Sequence, residues 1–311
     1  MSLLPPPLAR EGHAALAPED APEDVPAPVS CSWKERFDDP LNRFYRYPVA
    51  RLIVRALMHT PITPNQVTFV QPFMAATAGW LLTFGDYRGL VLAALIFEFR
   101  SVLDCVDGTL ARAKKMTSAN GHAIDAIADW LGTVFLYLGI FWRFHLHPPP
   151  PGAWSGFLPV SAVIAIALWQ GALRSFACDY YRTKIVSIFE TGRDETIEAM
   201  RRKVRALGPG SPLFARVDVV IGHCGHISFE HRRFDPDADD RCVSRIRERE
   251  SSPLARAVAG LWGVSNGDAF LSIIVMSMLV NRLWEAQVFF ATAGVLWAFA
   301  VIMLSARLVR P

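Results

Sequence analysis

Residues 104–129 read DCVDGTLARAKKMTSANGHAIDAIAD, with Asp104 and Asp107 three positions apart and Asp125 and Asp129 four apart. Each interval sets two carboxylates on one face of a helix. An apolar run leads into the first pair and another leads away from the second. The pattern predicts two helices of a membrane bundle, joined as a hairpin by a short basic connection that gathers four carboxylates at one membrane face.

Working outward, further apolar stretches lie on both sides. Val67–Phe84 and Leu90–Asp104 precede the connection, and Ile124–Trp142, Val160–Cys178, Ala255–Val280 and Val288–Leu304 follow it. Each is long enough, or in the case of Leu90–Asp104 runs on into the motif far enough, to cross a hydrocarbon core of about 30 Å as a helix. The sequence therefore predicts an all-α integral membrane protein with six transmembrane helices. Ahead of them, residues 42–60 place Val49, Leu52, Ile53 and Leu57 at helical spacing among Arg43, Arg46, Arg51 and Arg55, the pattern of an amphipathic helix in the membrane interface. Thr63-Pro64-Asn65 breaks that helix and starts the next.

Residues 1–30, rich in Pro, Ala, Glu and Asp, are too poor in bulky apolar side chains to build a core and read as a disordered tail. They also lack the basic, apolar, small-residue order of a signal peptide. The expected organisation is thus a tail at 1–30, an interfacial region at 31–66 and a catalytic membrane domain at 67–311. The polar connection 183–252 within that domain would cap one face.

The chain is 52% apolar with a net charge of +3, and its Lys and Arg residues lie in loops rather than in one dense tract, which argues against a nucleic-acid partner. Loops 86–88, 143–157 and 281–287 hold only Arg88, Arg143 and Arg282, whereas the opposite set holds Arg112, Lys114, Lys115, the run Arg201-Arg202-Lys203, Arg307 and Arg310. By the positive-inside rule, both termini and the 105–122 connection face the cytoplasm. The five cysteines are odd in number and scattered, so no disulfide framework is indicated.

Four carboxylates repel one another and are costly near hydrocarbon. A divalent cation removes the conflict, and Mg²⁺ in particular prefers oxygen ligands completed by substrate phosphates. Two such ions could clamp a pyrophosphate. Gly108 leaves room for a phosphate or base to approach, Ala111 keeps the same face clear one turn on, and Arg112 can pair with phosphate oxygens. Gly121 would let the third span pack closely on the second.

The order Asp, two residues, Asp-Gly, two residues, Ala-Arg, eight residues, Gly, three residues, Asp, three residues, Asp resembles the signature of the CDP-alcohol phosphotransferase family. All eight specified residues are present with the right gaps. The likeness covers roughly residues 42–182 and, more loosely, 255–305. It implies attack of an alcohol hydroxyl on the phosphoryl group of a CDP-linked donor with release of CMP, in phospholipid synthesis. It further implies that Asp104, Asp107 and Asp125 bind two Mg²⁺ or Mn²⁺ ions with Asp129 close by, that Asp129 is the general base, and that Asp107, Gly108, Ala111, Arg112 and Gly121 contact CDP. The partners implied are CDP-diacylglycerol or a CDP-polar alcohol, an alcohol or lipid acceptor, membrane lipid and a second copy in a homodimer.

For the acceptor, the sequence offers Arg174 within the fourth span, which an acid such as Glu98 or Asp179 would neutralise, together with Arg182, Asn266 and Asp268. Arg182 and Lys184 also suit a membrane interface, and Asn266 suits a helix cap. His223, Cys224, His226 and His231 have ligand side chains, but at no standard zinc spacing. The competing functions are the same transfer on a soluble acceptor of the inositol-phosphate type and, from another class, a transporter. The latter predicts polar residues along several helices at midplane rather than acids at one edge.

Overall fold

The computed structural model describes residues 32–116, 119–149, 158–196 and 243–309, with scattered positions between 204 and 229. The His223–His231 group and the 201–203 basic run fall outside the described residues. The chain divides into residues 1–32 and a unit from Trp33 to Pro311, and the described helices belong to the second. Among the described residues the regular structure is helical.

A short helix α1 (Trp33–Phe37) and a π-helical turn (Asn42–Arg46) lead into α2 (Tyr47–Leu57). Four long helices come next, α3 (Pro64–Leu82), α4 (Tyr87–Ala113), α5 (Ala119–Leu146) and α6 (Val160–Thr191). The C-terminal part holds α7 (Pro253–Gly263), α8 (Gly267–Leu279), α9 (Leu283–Ala291) and α10 (Ala293–Val309). By length and composition, 123–146 in α5 and 160–191 in α6 can each cross a membrane. The pairs α7–α8 and α9–α10, bent by 44° and 46°, raise that number to four if each is one broken span. The Ala255–Val280 stretch is thus two helices, because Asn266 caps α8 by accepting from the Ala269 N–H at 2.8 Å and interrupts the preceding turn.

The start of α3 is where Thr63-Pro64-Asn65 predicts it. The Thr63 hydroxyl accepts from the Gln66 N–H at 3.4 Å, the Gln66 side chain accepts from the Thr63 N–H at 2.9 Å, and Pro64 takes the first helical position. Such a capping box satisfies two of the helix's unpaired donors. Lys114, at the other end of α4, donates to the carbonyls of Thr60 and Ile62 at 2.8 Å each and ties the α2–α3 turn to the connection that leads from α4 to α5.

α3 packs extensively against both α4 and α5, which touch each other much less than a simple hairpin would. The close approach lies between α3 and α5, where a Cβ on Gly79 or Gly139 would collide with the opposing backbone. Small residues let membrane helices meet this closely. The tight crossing is therefore carried by Gly79 and Gly139, while Gly121 lines a cavity instead.

A second join links the N-terminal segment to the bundle. Arg46, only 1% exposed, donates through Nε and Nη2 to the two carboxylate oxygens of Glu98 in α4 at 2.9 and 2.8 Å, to Ser272 Oγ in α8 at 2.9 Å and to Asn42 Oδ1 at 3.1 Å. The expectation of an interface arginine is corrected here: Arg46 sits on the face of its helix turned toward α4, whereas Arg43, Arg51 and Arg55 stay exposed. Glu98 is consumed by this pairing and is not a partner for Arg174. Asp179 is exposed, and no ion pair between it and Arg174 is found among the described residues.

Candidate active site

α4 carries Asp104 and Asp107, and α5 carries Asp125 and Asp129. Asp104, Asp107 and Asp125 each offer a carboxylate oxygen, and those oxygens lie within 4.8 Å of one another. α3 supplies the support: the buried Asp107 accepts through Oδ2 from Thr68 Oγ1 at 2.6 Å and from Gln71 Nε2 at 2.8 Å. Thr68 and Gln71 do not stand out in the sequence as parts of the site. Their polarity inside an otherwise apolar helix, three positions apart, is the signal that points to them. Asp125 Oδ1 is buried with no hydrogen-bond partner among the described residues, and a buried acceptor left that way is costly unless a donor or cation meets it. Three converging carboxylates with one unsatisfied oxygen fit a hard divalent cation.

A cavity of about 100 Å³ opens beside these acids. Pro64, Asn65 and Thr68 from α3, Asp107, Gly108, Ala111 and Arg112 from α4, and Gly121 and Asp125 from α5 line it. Gly108 and Arg112 stand on successive turns of one face. A Cβ on Gly108 would meet nothing nearer than Arg112 Nη1, at 3.7 Å, so this glycine keeps space open rather than enabling packing. Arg112 is exposed, its guanidinium donating to Thr109 Oγ1 at 3.3 Å and otherwise turned to the cavity side.

Asp129 is placed differently. Its side chain is 52% exposed and pairs with Arg100 Nη2 at 2.7 Å. Arg100 is itself buried in α4, and nothing in its sequence neighbourhood marks it as part of the site.

The four acceptor candidates also separate. Asp268, at the start of α8, accepts from Asn42 Nδ2 at 2.6 Å and is near enough to Asp104 and Asp129 for their charges to interact. Arg174, 4% exposed, lies over the Phe270 ring at 4.9 Å, with Nε and Nη2 lacking hydrogen-bond partners among the described residues. Asn266 has both amide groups engaged, its Oδ1 capping α8 and its Nδ2 donating to the Phe37 carbonyl at 3.4 Å. Arg182 pairs with Asp38 at 2.6 Å. Lys184, expected at an interface, is fully buried and bonded to Asp194 at 2.9 Å, because its side chain points inward from the last turns of α6.

Residues 61–189, which contain this group of acids, match the family model described as CDP-alcohol phosphatidyltransferase. The match takes in the carboxylate-bearing helix pair, its α3 support and α6 almost to its end. Among curated relatives, the chain is similar to the ceramide phosphoethanolamine synthase of Drosophila melanogaster, 31% identical over 133 residues, which are 40% of this chain and 33% of the relative. It is similar to the bifunctional IPC transferase and DIPP synthase of Archaeoglobus fulgidus, 30% identical over 125 residues, covering 39% and 24%. A third, the CDP-diacylglycerol–glycerol-3-phosphate 3-phosphatidyltransferase of Pectobacterium atrosepticum, is 29% identical over 110 residues, covering 35% and 57%. The chain thus spans only about a third of the length of the Drosophila relative and a quarter of the archaeal one.

Proposed function

We propose that the chain is a multi-pass membrane transferase that moves a phosphoalcohol or phosphatidyl group from a CDP-linked donor to an alcohol hydroxyl and releases CMP in phospholipid synthesis. The observation that carries this reading is the convergence of Asp104, Asp107 and Asp125 beside a cavity lined by Gly108, Ala111, Arg112 and Gly121. The three aspartates would hold two Mg²⁺ or Mn²⁺ ions, which would supply charge neutralisation for the donor's pyrophosphate.

The protein's own residues do the rest. Thr68 and Gln71 lock the Asp107 rotamer, so that its carboxylate is held in place before substrate arrives. Gly108 and Ala111 leave the donor's cytidine and phosphates room against α4, and Arg112 pairs with phosphate oxygens and stabilises the departing CMP. Asp129, half-exposed at the rim, accepts the acceptor's hydroxyl proton as that oxygen attacks phosphorus and the bond to the CMP oxygen breaks. Asp268, close to Asp104 and Asp129 across the bundle, orients the acceptor hydroxyl. Arg174, with two donors unsatisfied, offers the acceptor's polar head a partner deeper in the bundle, whereas Arg182 and Asn266 serve through their contacts with the N-terminal segment.

The six-span arrangement takes α3, α4, α5, α6 and the two bent pairs as spans, with α2 in the interface and the carboxylates and both termini on the cytoplasmic side. Exposed Phe69, Phe73 and Trp80 along α3 support a lipid-facing surface. The homodimer implied by the family belongs to the same proposal.

The likeness to a protein named ceramide phosphoethanolamine synthase favours a lipid acceptor, and that to a protein named CDP-diacylglycerol–glycerol-3-phosphate 3-phosphatidyltransferase favours a lipid donor. The same transfer to a soluble acceptor is the second reading, kept by the relatives named bifunctional IPC transferase and DIPP synthase. Mass spectrometry of lipids made by cells expressing the chain, against cells expressing Asp107→Asn, separates them. A new phospholipid dependent on Asp107 is expected. Unchanged lipids with free CMP and a new soluble phosphodiester would support the second reading, and no product in either phase would refute both.

A further inference from the structure

Arg100 stands one turn before Asp104 and shares a helix face with Asp104 and Asp107, yet the eight-residue signature does not call for it. Its guanidinium is 3% exposed. Nη2 donates to Asp129 Oδ1 at 2.7 Å and to the Ala128 carbonyl at 3.4 Å. Across from it Gly132, one turn beyond Asp129, supplies the space: a Cβ there would lie 2.7 Å from Arg100 Cζ. The cation also sits 5.4 Å from the Phe97 ring. A buried arginine within a helix of this kind is expensive, and here a carboxylate, a backbone carbonyl, a ring and a glycine slot are all arranged around it.

The consequence appears in the acids. Three of the four converge, and the fourth is held on the guanidinium. Asp129 lies one helical turn from Asp125, so a cluster carrying divalent ions would draw its carboxylate in as a further ligand. A carboxylate engaged that way is no longer free to accept the acceptor's proton.

We propose that Arg100 is a positioning residue that keeps Asp129 out of the metal group and leaves its carboxylate available to the acceptor. The inference rests on the metal-dependent transferase reading above. It predicts two effects of opposite sign when Arg100 is removed. The metal site gains a ligand and loses a neighbouring positive charge, so metal binding tightens. The acceptor loses its oriented proton acceptor, so turnover slows. A residue that only stabilised the fold would weaken both.

The test uses the full chain in detergent or nanodiscs, with Mn²⁺ binding followed by the electron paramagnetic resonance of free Mn²⁺ in the absence of any donor, and CMP release measured separately. Arg100→Met should bind Mn²⁺ about tenfold more tightly than the parent and turn over about 10²-fold more slowly. Adding Asp129→Asn should remove most of the gain in Mn²⁺ affinity, because the freed carboxylate supplies the larger part of it and the lost positive charge only the rest. Arg100→Lys, which keeps the charge but shortens the reach, is the milder variant should the methionine form fail to fold, and should show the same tightening by a smaller factor. Unchanged or weaker Mn²⁺ binding in the variants that fold overturns the proposal, as does a gain that Asp129→Asn leaves undiminished. Parent protein that binds no Mn²⁺, or Asp107→Asn that binds it unchanged, refutes the metal reading and this inference with it.

Discussion

The carboxylate hairpin of α4 and α5 and the bent C-terminal helices α7–α10 are held in opposite ways. The first is set up by residues close in sequence: the carboxylates fall within one short stretch, and α3, which immediately precedes α4, braces it through Thr68 and Gln71. The second is set up across the length of the chain. Asp268 is held by Asn42, 226 positions away, and Ser272 by Arg46 at the same separation. In the proposed reading the reaction belongs to a local unit that a motif can encode, and the choice of acceptor to a surface assembled only in the folded bundle.

Breaking the local unit should have the largest effect. Asp129→Asn keeps shape and loses the proton acceptor, and CMP release should fall about 10²–10⁴-fold in a turnover assay. The long-range join is tested by Arg46→Met, which strands Glu98 and leaves Asn42, Ser272 and Asp268 without their shared anchor. Breaking such a buried pair costs about 3–5 kcal/mol, to be read from thermal unfolding in detergent. The Asp104–Asp125 group should still bind Mn²⁺ wherever that variant folds, because no part of the group depends on Arg46.

A smaller effect is expected at the crossing that positions α5. Gly139→Ala drives a methyl group into the α3 backbone at Gly79, and overpacking of this kind costs about 1–3 kcal/mol. Gly108→Ala, by contrast, should leave stability unchanged, since nothing crowds it, and weaken donor binding.

The smallest effect lies outside both regions. Burial alone would raise the Asp194 carboxyl, but the Lys184 ammonium and hydrogen bonds from Thr196 and Lys184 outweigh it and hold the group below the usual aspartate value. A depressed folded value means that this contribution is complete above the unfolded value of about 3.9 and is lost as pH falls through the folded one. Thermal unfolding scanned from neutral pH downward should show a loss at the acid end, and Asp194→Asn should remove that part of the pH dependence.

The same contrast between local and distant contacts separates what is legible in the amino-acid sequence from what is not. The long helices and the α3 cap can be read there because apolar period and capping chemistry are local properties, and so can the spacing of the four aspartates. The break at Thr292 cannot, since a helix interrupted inside an apolar stretch keeps nearly the same composition, and Asn266 reads as a cap without telling that it divides one stretch into two helices. Arg46 and Lys184 look like interface residues because the sequence tells that a helix has a polar residue but not which neighbour lies against it. Arg100 is hidden for the same reason: its meaning depends on Asp129 and Gly132, which a separate helix brings to it.

The central claim is that the three-aspartate group and Asp129 perform divalent-metal-dependent transfer from a CDP-linked donor. Purified protein should be incubated with radiolabelled CDP-diacylglycerol and with CDP-linked polar alcohols, with and without Mg²⁺ or Mn²⁺, and CMP measured. CMP is expected from one donor class only when the cation is present, and nearly none in Asp125→Asn. Absence of CMP from every donor, or full turnover by Asp125→Asn, would contradict it.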